Sequence, residues 1–114
     1  MSGGRDLPYA KLRRFTRVLA DAMVGVQCDG RYRVHPTAEI SEGGLLFTSS
    51  KPYPVGKSIE MSILLQNERP LLVSGEISYS FKQRDTHHVG VRFLEPSTEV
   101  QATLRLFIQR EKRR

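Results

Sequence analysis

The chain has 114 residues, which is the size of one domain and enough for one modest hydrophobic core. Its apolar share of 39% and its charged share of 26% lie in the ordinary range of soluble proteins. The single cysteine, Cys28, excludes an internal disulfide framework, and no apolar stretch approaches the roughly 20 residues that span a bilayer. Because the first residues also lack the apolar segment of a secretion signal, we expect a cytoplasmic protein without membrane insertion.

The net charge of +6 is distributed unevenly along the chain. Residues 1–18 carry five Lys or Arg against one acid, and residues 105–114 carry the same balance, whereas residues 19–104 have a net charge of −2. A protein that binds duplex nucleic acid usually spreads its basic residues over a whole face. The distribution therefore favours a compact anionic ligand held by one end, or basic tails with no specific role.

Alternation of apolar and polar residues predicts six strands, of which the first is a continuous run over 18–28. Asp29-Gly30 is a strong hairpin signal, so a second strand returns through Tyr32 and Val34 as far as Pro36, which ends it or places it at an edge. The segment 41–44 is a turn before a short third strand over 45–48, and 51–56 is a loop.

The fourth strand is predicted over 59–65, with its apolar residues at alternate positions. The fifth strand, over 71–81, places six residues on one face and is long enough to bend at Gly75. These six are Leu71, Val73, Gly75, Ile77, Tyr79 and Phe81. The sixth strand directs Val89, Val91 and Phe93 inward.

After residue 95 the period changes to that of a helix, predicted over 97–112. Thr98 and Gln101 have the spacing of a capping box at its start. Six short strands and one terminal helix predict a mainly β protein, a small antiparallel barrel whose helix covers an open end. Residues 1–10 are predicted to be a disordered leader.

Signatures of catalysis are absent from the sequence. It contains no phosphate-binding glycine loop and no nucleophile elbow. The three histidines, His35, His87 and His88, lack a carboxylate or cysteine at metal-ligand spacing, and adjacent residues on a strand point to opposite faces. We therefore expect no enzyme activity, no metal site and no cofactor.

Two short motifs remain for a binding function. Arg13 and Arg17 form an RxxxR pattern just before the first strand, although thirteen arginines produce about one such spacing by chance, and Arg110 and Arg114 form another. The segment 39–44 reads Glu-Ile-Ser-Glu-Gly-Gly, an acid-x-Ser-x-x-Gly pattern that is also a serine–glycine turn.

Together and in this order, the two motifs resemble the PilZ domain family. That family has RxxxR on an arm before the first barrel strand and (Asp/Asn)-x-Ser-x-x-Gly between the second and third strands. The resemblance implies a six-stranded antiparallel PilZ-type β-barrel with a C-terminal α-helix. It implies one domain over 11–114, divided into an arm (11–17), a barrel (18–95) and a helix (97–112).

The resemblance also implies a ligand, cyclic di-GMP, and the residues that bind it. Arg13 and Arg17, with Arg14 between them, would bind its guanine and phosphate groups from the arm. From the barrel Glu39 and Ser41 would contact the ligand, and Gly44 would let the backbone turn closely beside it. The sequence departs from the family at Glu39, where the motif has Asp or Asn.

The chemistry of these residue types agrees with that ligand. The guanidinium fork of arginine matches the O6 and N7 acceptors of guanine, a geometry that lysine cannot reproduce. A carboxylate can accept hydrogen bonds from guanine N1–H and N2–H, and guanidinium groups stack on purine planes.

Three hypotheses follow from the sequence. The first is a receptor or adaptor that binds cyclic di-GMP and thereby changes its surface toward an unidentified partner protein, in motility, exopolysaccharide or biofilm control. The second is a PilZ-like protein-interaction module that has lost nucleotide binding. The third is a small basic barrel that binds single-stranded nucleic acid, for which Tyr53 and Tyr79 could stack on bases although the body of the chain is net acidic.

Overall fold

Seven strands and one helix follow one another in the computed structural model, which describes residues 17–19, 22–66 and 68–112. The strands are β1 (Arg17–Leu19), β2 (Met23–Cys28), β3 (Arg31–Ser41), β4 (Gly44–Ser49), β5 (Ser58–Leu64), β6 (Leu71–Gln83) and β7 (Thr86–Leu94). The helix, α1, is Thr98–Lys112. The leader predicted over 1–10 lies outside the described residues, as does most of the arm.

Six of the seven described strands form one closed antiparallel barrel. The order of all seven is β1-β3-β2-β5-β6-β7-β4, and an additional pairing of β3 with β4 closes the sheet. The six strands β2 to β7 make the barrel, while β1 pairs with the second half of β3. The expected six-stranded barrel with a C-terminal helix is confirmed.

The core fills the inside of this barrel with apolar side chains from every barrel strand, including three each from β5, β6 and β7. The most deeply buried come from all six barrel strands and from the helix: Val24, Val26, Ile40, Phe47, Ile59, Ile63, Ile77, Val89 and Leu104. Burying one such side chain stabilises a fold by about 1.5–3 kcal/mol. The alternation predicted for β5 and β7 is confirmed, since every predicted inward residue of those strands is buried.

The first strand is divided, contrary to the prediction of one run over 18–28. Leu19 of β1 lies opposite Glu39, whereas the backbone N–H of Thr37 donates to the carbonyl oxygen of Ala22 at 2.9 Å. Two residues separate Leu19 from Ala22, but only one separates Glu39 from Thr37. The pairing register therefore shifts by one residue, which apolar alternation along a single strand cannot reveal.

A β-bulge in β3 changes which of its residues face the core. Pro36 does not end this strand; it lies in a part of β3 that pairs only with β2, so its missing N–H disturbs no second ladder. Before the bulge the buried residues are His35 and Thr37, and after it Ile40 is buried. Because the inward side changes from odd to even positions at this bulge, Glu39 and Ser41 lie on the outer face of the barrel.

A second bulge, in β6, corrects the prediction for the fifth strand. Ile77 pairs with Val91 but Tyr79 pairs with Gly90, so the irregularity lies at Ser78 and not at Gly75. The ring of Tyr79 occupies the space beside Gly90, where an added Cβ would lie 2.1 Å from it. Tyr79 and Phe81 therefore lie on the outer face, not on the inward face with Leu71 to Ile77.

The residue that caps the N-terminus of the helix is Ser97, one position before the predicted Thr98. The Oγ of Ser97, not that of Thr98, accepts a hydrogen bond from the backbone N–H of Val100 at 3.1 Å. Three buried side chains, Val100, Leu104 and Ile108, face the barrel, and α1 packs against β1, β3 and β6. In the described part of the chain, no helix has the length and apolar character needed to cross a membrane.

Candidate functional site

The turn between β3 and β4 is built by the hydroxyl of Ser41. Its Oγ accepts hydrogen bonds from the backbone N–H groups of Gly43 and Gly44 at 3.2 Å each and lies 3.2 Å from the Gly44 carbonyl oxygen, to which it donates. The Gly43 carbonyl in turn accepts from the N–H of Phe93 at 2.9 Å. Ser41 therefore shapes the turn, and the Gly43 carbonyl joins the turn to β7, whether or not a ligand is present.

Gly44 has a packing reason to be glycine. A Cβ at this position would lie 2.1 Å from the carbonyl oxygen of Val91, a backbone atom that cannot move aside without shifting β7. The glycine thus permits close approach of β4 to β7. This requirement is separate from the contact with a ligand that the resemblance implies.

Glu39 and Ser41 lie on the same outer face of β3, because Ile40 between them is directed into the core. Alternate residues of a strand are about 7 Å apart. Both residues are half-buried. A carboxylate and a hydroxyl-built turn thus stand side by side at the end of β3, within reach of one small ligand.

The end of the predicted arm leads directly onto this face. In the β1–β3 ladder, Arg17 lies opposite Ser41 and Leu19 lies opposite Glu39. The backbone of β1 is thereby placed one strand spacing, about 4.8 Å, from the motif on β3. Arg13 and Arg14 lie outside the described residues.

Two arginines near the turn were not found from the sequence. Arg105 of α1 donates from Nε and Nη2 to the Oε1 of Glu42, at 3.3 Å and 3.2 Å. Arg92 of β7 lies opposite Gly44 in the β4–β7 ladder and forms an ion pair with Glu76 of β6. Their position depends on which strands become neighbours, and no local pattern in the sequence carries that information.

One row of residues therefore crosses the outer face beside the turn. Arg17 lies opposite Ser41, the turn joins Ser41 to Gly44, Gly44 lies opposite Arg92, and Arg92 lies opposite Glu76. We call these five positions the turn row. It places basic residues on both sides of the serine–glycine turn.

The histidines have structural surroundings. His35 is buried, stacks on Phe47 with ring centroids 4.8 Å apart, and its Nε2 lies 2.7 Å from the hydroxyl of Tyr53. Burial, and secondarily the charge of Arg33, lower the pKa of His35, so the ring is held neutral. His88 stacks on Phe81. Among the described residues, no group of three or more histidine, cysteine or acidic side chains could hold a metal ion.

Cys28 lies at the end of β2, half-buried against the core. Burial is the main cause that raises the pKa of its thiol, and the neighbouring carboxylate of Asp29 raises it further. A thiol that is held protonated is a poor nucleophile. Its surroundings indicate a structural role.

Comparison with known proteins identifies the family. The PilZ domain model matches residues 11–110, which include both motifs, the barrel and most of the helix. The chain belongs to the PilZ domain family. A comparison with curated proteins gave no match.

Solved structures share the PilZ fold at low sequence identity. The inhibitor of motility MotI/DgrA from Bacillus subtilis is 19% identical, with a TM-score of 0.80 over 88% of this chain and 50% of its own. The PilZ domain of YcgR from Escherichia coli, solved with c-di-GMP, is 17% identical, with a TM-score of 0.75 over 89% of this chain and 92% of its own. PlzA from Borreliella burgdorferi, also in complex with c-di-GMP, is 15% identical, with a TM-score of 0.65 over 90% of this chain and 44% of its own. The present chain thus spans about half the length of MotI and of PlzA.

Proposed function

We propose that this PilZ domain is a receptor for cyclic di-GMP and acts by binding, not by catalysis. The observation that carries the proposal is the pairing of Arg17 with Ser41, which brings the end of the RxxxR segment onto the face that presents Glu39 and the serine–glycine turn. The complexes of YcgR and PlzA with c-di-GMP support the choice of ligand.

In this proposal each of the motif residues has a distinct task. Arg13, Arg14 and Arg17 supply positive charge and guanidinium donors for the phosphates and for guanine O6 and N7. Glu39 accepts from guanine N1–H and N2–H. Ser41 and Gly44 hold the turn in the shape that leaves room for the ligand.

Ligand binding would change the surface of the domain, because the ligand would cover part of the outer face beside the turn. The altered surface would be recognised by a downstream protein in a cytoplasmic pathway of motility, exopolysaccharide or biofilm control. The partner is a protein and not a nucleic acid. The two tyrosines offered for base stacking are engaged, since Tyr53 contacts His35 and Tyr79 is covered.

The degenerate interaction module is the second candidate, and two observations favour it. Ser41 and Gly44 each have a structural role that would retain them without a ligand. Glu39 is the motif position at which the chain departs from the family.

Calorimetric titration with cyclic di-GMP, with cyclic di-AMP as the matched control, separates the two candidates. Adenine lacks the paired N–H donors that a carboxylate at position 39 would bind. A receptor binds cyclic di-GMP strongly and cyclic di-AMP at least tenfold more weakly. Absence of binding to either dinucleotide would favour the interaction module.

A further inference from the structure

Arg92 occupies a position on the turn row that mirrors Arg17. Arg17 lies one strand spacing from Ser41 on the β1 side, and Arg92 lies one strand spacing from Gly44 on the β7 side. Three spacings of about 4.8 Å separate the two backbones, or roughly 14 Å. A cyclic dinucleotide that binds over the turn between them would lie within about one arginine side-chain length of each backbone.

The side chain of Arg92 is directed outward and is accessible. Its neighbours Val91 and Phe93 are both buried, so Arg92 must lie on the outer face. Its side chain is 54% exposed while one guanidinium nitrogen contacts the carboxylate of Glu76. Glu76 thereby orients the guanidinium and leaves other N–H donors available to an acceptor above the barrel.

At Ser41 and Gly44, between the two arginines of the turn row, no long side chain projects from the outer face. Gly44 carries no side chain, and the hydroxyl of Ser41 is turned into the backbone of the turn. Arg92 is the basic residue of the turn row on the β7 side of these two positions. The other arginine near the turn, Arg105, is bound to Glu42.

We infer that Arg92 is a further ligand-binding residue, which holds a phosphate of cyclic di-GMP on the side of the turn remote from β1. The inference rests on the proposed function and extends it to a residue of β7. A cyclic dinucleotide carries two phosphate charges, and Arg17 in the β1–β3 ladder lies on the other side of the turn from Arg92. Arg92 neutralises charge on the opposite side through an ionic hydrogen bond.

Titration of four variants with cyclic di-GMP tests the role of Arg92. Arg92→Gln is expected to weaken binding by at least roughly tenfold, because an ionic hydrogen bond is lost. Arg92→Lys keeps a point charge for the phosphate and is expected to stay within about threefold of native affinity. The double variant Arg92→Gln with Glu76→Gln keeps the net charge of the native protein and is expected to remain weak.

Arg110→Gln is the matched control, because Arg110 forms a similar exposed ion pair, with Glu68, at 3.2 Å. It removes the same charge away from the turn row and is expected to bind like the native protein. All variants should keep the native melting temperature closely, since exposed pairs contribute little to stability.

The outcomes are separable. If the native protein binds and Arg92→Gln binds as tightly as Arg110→Gln, the inference is wrong while the proposed function stands. Recovery of native affinity in the double variant would reduce the effect to net charge and would also overturn it. A native protein that does not bind cyclic di-GMP would refute the proposed function and this inference together.

Discussion

Glu39 is the proposed ligand-binding residue at which the chain departs from the family motif. Glutamate keeps the charge and both acceptor oxygens of aspartate, but it has one more methylene and one more rotatable bond. Ordering such a side chain on binding costs about 0.5–1.5 kcal/mol, and a misplaced hydrogen bond costs a similar amount. The bulge that turns Glu39 outward sets its backbone position, and relative to an aspartate there only the length of the side chain differs.

We predict that Glu39→Asp tightens the binding of cyclic di-GMP, by up to roughly a hundredfold, and that Glu39→Ala weakens it. Calorimetric titration of the three proteins under one buffer condition measures both changes. If Glu39→Ala binds better than the native protein, the glutamate obstructs the site, and the interaction module becomes the better description.

A substitution at Gly44 tests whether this motif residue is needed for stability or for ligand binding. Gly44→Ala forces a Cβ against the Val91 carbonyl oxygen, and we expect a loss of about 1–3 kcal/mol in the free energy of unfolding. Thermal or urea unfolding followed by circular dichroism measures the loss. An alanine variant with native stability that fails to bind cyclic di-GMP would show instead that the glycine is needed for the ligand.

The sequence could not predict which residues of other elements lie beside the motif. The motif spacing predicted Glu39, Ser41 and Gly44 because all three belong to one hairpin. Arg92 is 48 positions away from Gly44 in the chain, and only the β4–β7 register brings the two together. The pairing of Arg105 with Glu42 depends in the same way on where the helix packs.

At the level of elements, alternation predicted the strands well where they are regular and failed where a bulge changes parity. The fourth and sixth predicted strands have no bulge within their apolar runs, and their inward residues were predicted correctly. In β6 the extra residue at Ser78 turns Tyr79 outward and Ser80 inward. Among the described side chains, the Ser80 hydroxyl is buried without a hydrogen-bond partner, so the bulge has a cost that local sequence preference does not reveal.

The start of the helix provides a prediction at the level of elements. Because the Oγ of Ser97 accepts from the N–H of Val100, Ser97→Ala is expected to destabilise the domain by about 1 kcal/mol. Thr98→Ala is the matched control and should change stability by less than about 0.5 kcal/mol. Urea unfolding of both variants gives the two values. A larger loss from Thr98→Ala would restore the capping residue predicted from the sequence.

For the whole molecule, the structure explains why the C-terminal segment is basic. Two of the basic residues near the C-terminus, Arg105 and Arg110, pair with acids of the barrel body, Glu42 and Glu68. The excess of acids in the body therefore has a partner in the helix. Arg17, the last arginine of the basic N-terminal segment, lies instead opposite Ser41 of the motif, which agrees with a role in binding an anion.

The central claim is that the arm and the turn row bind cyclic di-GMP together, and one calorimetric titration tests it most directly. Native protein is compared with Arg13→Ala/Arg17→Ala and with Arg110→Ala/Arg114→Ala, which removes the other RxxxR spacing and the same charge. Each lost ionic hydrogen bond costs about 1.5–3 kcal/mol, so the first pair should abolish measurable binding while the fold stays intact. The second pair should bind like the native protein. Equal losses from both pairs, or binding that survives without Arg13 and Arg17, would contradict the claim.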